Sequence, residues 1–545
     1  KEEIDIRYQA AVLLYGKGHA AESARRFGEI ITRWPEDPRS QAAADLTMSV
    51  LEARQQWADL ARVSAELAAN KRLARSGTPF AHRVQQVLEG ARYKWIDEVV
   101  IKQEKDPGRG AEELIKYVEE LPRSRYADRA LTYAMLLDRD QQKLERAVAT
   151  GERVLKDYPG SPLEPKVRYT LSTLYAQLAE LPRAARMAES FVAAYDKQRA
   201  NLEQQRKKDK GKKKQEAGEP GEAQDPQADR LAQEAELLAE AEAWVPDAEA
   251  NAALWNEALG QPDQAAAAYQ RYLARFKDRP DAPQTQYALG VLYERRGKWA
   301  EAARAFEKFE SSYGRDGRVK PQQLVMARYR QLLAWQALHD ARKVEGLAGE
   351  VARAYERLGE DARKDQDATA AYAHARFLQV EPLWKRYAGI KLSRMTTVRQ
   401  DLAQKQKLLG DLQKSYGEVL KLGVGEWGIA ALVRIGLGYA DIGRDIMESP
   451  TPRGLPPDQQ QLYREELEKV ALPLEDKAVE ALNLALSKAY ELSIYSEWTQ
   501  AAQEQLNALR PGTYPRARDV RPPGTDAFRA AELEKDAPAG AGGAP

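Results

Sequence analysis

Gly423-Val424-Gly425-Glu426-Trp427-Gly428 places three glycines at the G-x-G-x-x-G spacing that lets a backbone turn approach a pyrophosphate, and Glu448 follows at the distance of a ribose-binding acid. That chemistry needs a strand before the turn and a helix after it. Here Gln413 to Leu422 reads as helix, no strand–helix alternation occurs along the chain, and Gly423 fits the left-handed cap that ends a helix. The four histidines, His19, His82, His339 and His374, stand too far apart for a local ligand pair such as H-E-x-x-H. Neither a G-x-S-x-G elbow nor a G-x-x-x-x-G-K-[ST] phosphate loop is present. Cysteine is absent, which removes disulfides, thiol nucleophiles, Cys-ligated zinc and iron–sulfur clusters. The many carboxylates read as solvated helix faces with Lys and Arg partners at i,i+4. We therefore expect no catalytic residue, no cofactor and no resident metal.

The elements that carry these residues follow from composition and repetition. The chain has 545 residues, 43% hydrophobic and 31% charged, with 84 basic against 83 acidic side chains. A net charge of +1 marks no nucleic-acid binder. No run of 18 apolar residues suits a membrane span; the nearest, Trp427 to Tyr439, contains Arg434. Self-similarity is the stronger signal. Leu289, Gly290 and Tyr293 suit one helix, Gly297 a turn, and Ala302, Phe306 and Phe309 the next helix. The place of Ala302 is taken elsewhere by Ser23, Leu60, Ala111, Ala147, Ala184 and Ala265, and four of the six separations are 36 or 37 residues. Closing loops such as Trp34-Pro35-Glu36-Asp37-Pro38, Tyr158-Pro159-Gly160-Ser161-Pro162 and Arg279-Pro280-Asp281-Ala282-Pro283 stop one helix and start another. A hairpin of this kind cannot cover its own apolar face, so stacking must supply the core.

This pattern resembles the tetratricopeptide repeat family over residues 1–70, 111–196 and 250–313, most closely over 285–313. The resemblance implies an all-α fold, an α-solenoid of helical hairpins, with small residues where two helices cross, as at Gly290 with Ala302 and Ser172 with Ala184. It also implies a groove lined by set positions of each first helix. Carried over by register, these are Lys166, Tyr169, Thr173 and Gln177 in one unit, and Gln284, Tyr287, Val291, Glu294 and Arg295 in another, with Tyr8 and Tyr15 at equivalent places in the first. Tyrosine there offers a rigid apolar face with a polar tip, and Arg or Lys beside it can hold a peptide carboxylate. No Lys/Asn clamp recurs across consecutive helices, so the family's chaperone-tail binding is not implied.

The expected organisation is a first array over 1–196, a disordered charged linker over 197–235, a second array over 236–355, divergent helical repeats over 356–510 and a disordered tail over 511–545. Residues 199–230 contain Leu202 but no Val, Ile, Phe, Tyr or Trp, and the tail carries six prolines and five glycines. The period and Pro-x-x-Pro loops look like bacterial envelope proteins, namely the outer-membrane assembly lipoprotein and the periplasmic partner of Tol–Pal. A fainter similarity is to repeat proteins of myxobacterial gliding motility. The expected function is a non-enzymatic scaffold for peptide or protein partners in an envelope complex, periplasmic or outer-membrane associated. Because the chain begins at Lys1 and not Met, a signal peptide or lipid-anchor cysteine upstream belongs to that expectation. One rival is a cytoplasmic adaptor recruiting through its basic block, Arg206 to Lys214, and its tail. The other is an enzyme built on helical repeats.

Overall fold

The computed structural model describes residues 2–215 and 226–515, with side chains described over 2–208 and 229–515. Among the described residues every regular element is a helix. They alternate as hairpins: α1 (Glu2–Gly16) with α2 (Ala20–Arg33), α3 (Pro38–Ala53) with α4 (Trp57–Ala69), and α5 (Pro79–Lys94), widened into a π-turn over Trp95–Gln103, with α6 (Pro107–Glu120). Next come α7 (Ala127–Asp140) with α8 (Leu144–Asp157) and α9 (Glu164–Gln177) with α10 (Leu181–Gln215). After α11 (Pro226–Glu242), which stands between pairs, α12 (Val245–Ala258) joins α13 (Pro262–Arg275). The remainder is α14 (Ala282–Arg295) with α15 (Trp299–Tyr313), α16 (Pro321–Ala337) with α17 (Ala341–Glu356), α18 (Gln366–Ala388) with α19 (Val398–Lys421), α20 (Gly425–Met447) with α21 (Pro457–Glu491), and α22 (Glu497–Leu509). The fold is an all-α solenoid of hairpins. It forms two compact units, Lys1–Ala282 and Pro283–Pro545, which divide inside the Arg279–Pro283 closing loop.

The repeated residue is the key to the packing. Ser23, Leu60, Ala111, Ala147, Ala184, Ala265 and Ala302 all lie in the first turns of second helices, and all are buried. Each turn into such a helix needs a left-handed residue, supplied by Gly297 (φ 67°) in the clearest copy but by Ala179 (φ 59°) after α9. The closing loops start new helices as their chemistry dictates. Asp37 accepts a hydrogen bond from the Arg39 amide at 2.9 Å, with Pro38 at the first helical position. Close crossing is visible at Gly290, where a Cβ would lie 2.6 Å from the Phe306 ring, which the Tyr287 ring in turn flanks at 5.4 Å. Across hairpins the core is continuous: Ile96, Leu114, Leu131, Val154, Leu171 and Tyr175 belong to one buried cluster.

Two segments bear on the sequence expectations. Within 197–235, expected to be an unfolded linker, α10 continues through Gln215 and α11 begins at Pro226, while 216–225 lie outside the described residues. Lys, Glu, Gln and Ala are strong helix formers, and a helix already nucleated by the packed turns of Leu181 to Tyr195 extends at little further cost. Leu202, Leu231 and Leu238 then find burial. Of the expected tail, 516–545 lie outside the described residues, as do the side chains of 209–214 in the basic block. The hairpin alternation runs on through α18 to α21, whose 23, 24, 23 and 35 residues exceed every earlier described helix but α10.

Candidate functional site

First helices of successive hairpins share one face in each unit. In the first unit α9 presents Lys166 and Tyr169, both half-buried. Lys166 Nζ lies 2.9 Å from Glu240 Oε1 of α11 and over the Trp244 ring. Tyr169 stacks on Trp244, ring centres 5.0 Å apart and planes 4° apart, and tilts against Phe191. Burial, and then the Asp247 carboxylate, raise the Tyr169 phenol above its ordinary value. Thr173 turns its hydroxyl back to the Thr170 carbonyl at 2.8 Å, and Gln177 is exposed at the helix end. So Lys166 and Tyr169 come together, Lys166 against α11 and both at Trp244 where α12 begins, whereas Thr173 and Gln177 take no part in that contact. In α1, Tyr8 packs on Phe27 and Tyr15 is exposed.

In the second unit the carried-over residues sit on α14. Tyr287 fits edge-on against Phe306 and Phe309, and its hydroxyl accepts from Arg330 Nε of α16 at 2.9 Å. Arg330 also donates to Glu294 Oε2 at 2.7 Å. Burial alone would lower the Arg330 guanidinium, but Glu294 and Tyr287 raise it, so the cation is held in place. Val291 is half-buried and Arg295 exposed on the same helix.

The contacts then continue from first helix to first helix. The Tyr329 hydroxyl of α16 meets His374 Nδ1 of α18 at 3.0 Å, and the His374 ring stacks on Trp427 of α20 at 3.7 Å and 7°. Burial pushes the His374 imidazole down to about 3, so it is neutral at physiological pH. Phe377 touches both Trp427 and Trp498 of α22. Glu381 of α18 takes Arg434 of α20 in a two-pronged ion pair at 3.1 and 2.9 Å, and the guanidinium lies between the rings of Trp384 and Trp498, 4.6 and 4.9 Å from their centres. Trp384, Trp427, Trp498, Tyr329 and Arg434 all keep part of their surface exposed.

None of these residues beyond α14 was singled out by sequence as a binding group. Trp427 stood within the glycine string and at the start of the apolar run to Tyr439, and the string's Gly423 does cap α19 with φ 69°. Behind the face lies a buried charge cluster that equally had no local signal. Lys405 of α19, fully buried, reaches Asp441 Oδ2 at 2.6 Å, Asp445, and the Ile390 carbonyl at 3.0 Å. Burial would raise the Asp441 carboxyl, yet Lys405, Lys391 and Arg444 together hold it below the usual range. Among the described residues no group of His, Asp or Glu is arranged to hold a metal ion, and no helix is long and apolar enough to cross a membrane.

Residues 248–278 and 284–315, which are the hairpins α12/α13 and α14/α15, match the tetratricopeptide repeat family. Both hairpins are similar to tetratricopeptide repeats. The second contains the residues from Leu289 to Phe309 that carried the resemblance, and it places Tyr287 and Val291 on its first helix. Solved structures similar to this chain include a tetratricopeptide repeat protein from Parabacteroides merdae, 13% identical over 67% of this chain and 100% of that one, with a TM-score of 0.24. The C-terminal part of a repeat-containing protein from Cytophaga hutchinsonii is 8% identical over 58% of this chain and 97% of its own, with a TM-score of 0.28. The pilF protein of Pseudomonas aeruginosa is 12% identical over 52% and 97%, with a TM-score of 0.22. No curated protein sequence matches the chain.

Proposed function

We propose that this chain is a non-enzymatic scaffold that holds protein or peptide partners on the first-helix face of its second unit, within a bacterial cell-envelope complex serving assembly, secretion or gliding motility. The observation that carries the reading is the set of aromatic and charged contacts made between first helices, Tyr287 with Arg330 and Tyr329 through His374 to Trp427, and the partly exposed Trp384, Trp427, Trp498 and Arg434 beside them. Trp, Tyr and Arg are the residue types that dominate binding energy at protein interfaces. Here they are fixed by ion pairs and ring contacts before any partner arrives, which lowers the ordering cost of association. Tetratricopeptide repeats bind protein or peptide partners, and the 36- or 37-residue spacing with Pro-x-x-Pro loops supports the envelope setting.

Affinity capture with crosslinking from the source cells tests this, using the full chain and a Tyr287→Ala/Arg330→Ala variant matched in helical content. We expect the variant to recover at least about tenfold less of one envelope protein, as loss of two central anchors of 1–2 kcal/mol each would give. Equal recovery by both chains, or a cytoplasmic protein as the specific catch, contradicts the proposal.

A further inference from the structure

In the first unit α11 stands between the hairpins: it packs along α10 and also lies on residues the first-helix face would otherwise present. Glu240 pairs with Lys166 of α9, and Gln233 accepts from Arg129 of α7 at 3.1 Å. Lys166 and Arg129 are each the third residue of their helix. The seven residues from Gln233 to Glu240 rise about 10.5 Å, which matches the roughly 8–10 Å between axes of packed neighbouring helices. So α11 crosses two successive first helices in register, one polar contact on each.

The charges are complementary. From Asp229 to Glu242 the helix carries Asp229, Glu234, Glu236, Glu240 and Glu242 against a single Arg230, and it faces Arg125, Arg129 and Lys166. Its buried residues Leu231, Leu238 and Ala241 recur at helical spacing, so the segment is an acidic amphipathic helix. The seat is not fully closed. A cleft of about 500 Å³ remains between Leu237 on α11 and Tyr126, Pro162 and Leu163 at the starts of α7 and α9.

We propose that the first turns of α7 and α9 form a docking surface for an acidic amphipathic helix of a partner protein, and that α11 occupies this surface in cis until such a helix replaces it. The partner helix carries a carboxylate seven residues after an amide or acid, as Gln233 and Glu240 do on α11. An occupant tethered in the same chain lowers the apparent affinity of a competitor by the fraction of time it leaves the seat open. This surface belongs to the first unit, and the face proposed above to the second.

The probe is a fluorescent peptide of residues 229–244, titrated into the full chain and followed by anisotropy. We expect a Gln233→Ala/Glu240→Lys variant, with α11 loosened, to bind the peptide at least tenfold more tightly than the unaltered chain, and added Lys166→Glu to abolish that gain. The exchanged pair Lys166→Glu/Glu240→Lys keeps the salt bridge and should exclude the peptide as the unaltered chain does, which also controls for folding. Equal binding by the unaltered chain and the loosened variant, absence of binding to both, or insensitivity to Lys166→Glu overturns the proposal.

Discussion

Replacing Lys405 by methionine should destabilise the protein by about 3–5 kcal/mol, the cost of leaving buried charge without its partner. Lys405 has no exposed surface, and its ammonium sits among Asp441, Asp445, the Ile390 carbonyl and the Tyr387 ring. Methionine fills much of the same volume, so lost packing contributes little. What remains is two carboxylates whose other cations are both more than half exposed: Lys391 stands 3.5 and 3.6 Å from Asp441 and Asp445, and Arg444 reaches Asp441 alone, at 2.5 Å. They must then take up a proton or admit water. A triple variant, Lys405→Met with Asp441→Leu and Asp445→Leu, removes the charges together and should recover most of the loss, because an apolar cluster of similar size is as stable as a buried ion cluster or more so. Denaturant unfolding followed by tryptophan fluorescence measures both. A single variant that loses under 1 kcal/mol, or a triple variant no better than the single, contradicts this view of the cluster.

The second large effect is a pH dependence set by His374. Its ring is buried between Tyr329 and Trp427, and burial lowers its pKa to about 3, while an unfolded histidine titrates near 6.5. Between those values the unfolded chain binds a proton that the folded chain does not. Stability therefore falls as pH drops below about 6.5, by about 1.4 kcal/mol per pH unit, or about 2 kcal/mol at pH 5. His374→Gln keeps a polar partner for the Tyr329 hydroxyl and removes the titration. The unfolding free energy lost between pH 7 and pH 5 should be about 2 kcal/mol smaller in the variant than in the unaltered protein. The same pH slope in both chains would show that His374 is open to protonation in the fold.

The hairpins were legible because their signal is local. One small residue near the start of each second helix, and a proline loop at each close, repeat at a spacing that needs no knowledge of the partner helix, and Ser23 through Ala302 are buried as that spacing requires. Composition marks how little the charged segment can bury, but not how far a packed helix continues into it, and α10 brings its own nucleus. Of the candidate site, register alone marks Tyr287 on α14 and Lys166 and Tyr169 on α9. The rest was not legible, because its pairs are made across helices: Glu381 with Arg434 is 53 residues apart, and Lys166 with Glu240 is 74. A lone Trp427 or Arg434 has nothing beside it in sequence to mark its partner. The covering of Lys166 by α11 was invisible for the same reason.

The central claim is that the second unit receives its partner on the first-helix face. Photocrosslinking tests it most directly, with a benzophenone amino acid placed in the source cells at Val291 of α14, at Met326 one turn from Arg330 on α16, and at the exposed Lys308 of the second helix α15. Adducts to one and the same protein from Val291 and Met326, with none from Lys308, are the predicted result. Adducts from Lys308 alone, or equal adducts from all three, would place the contact elsewhere and contradict it.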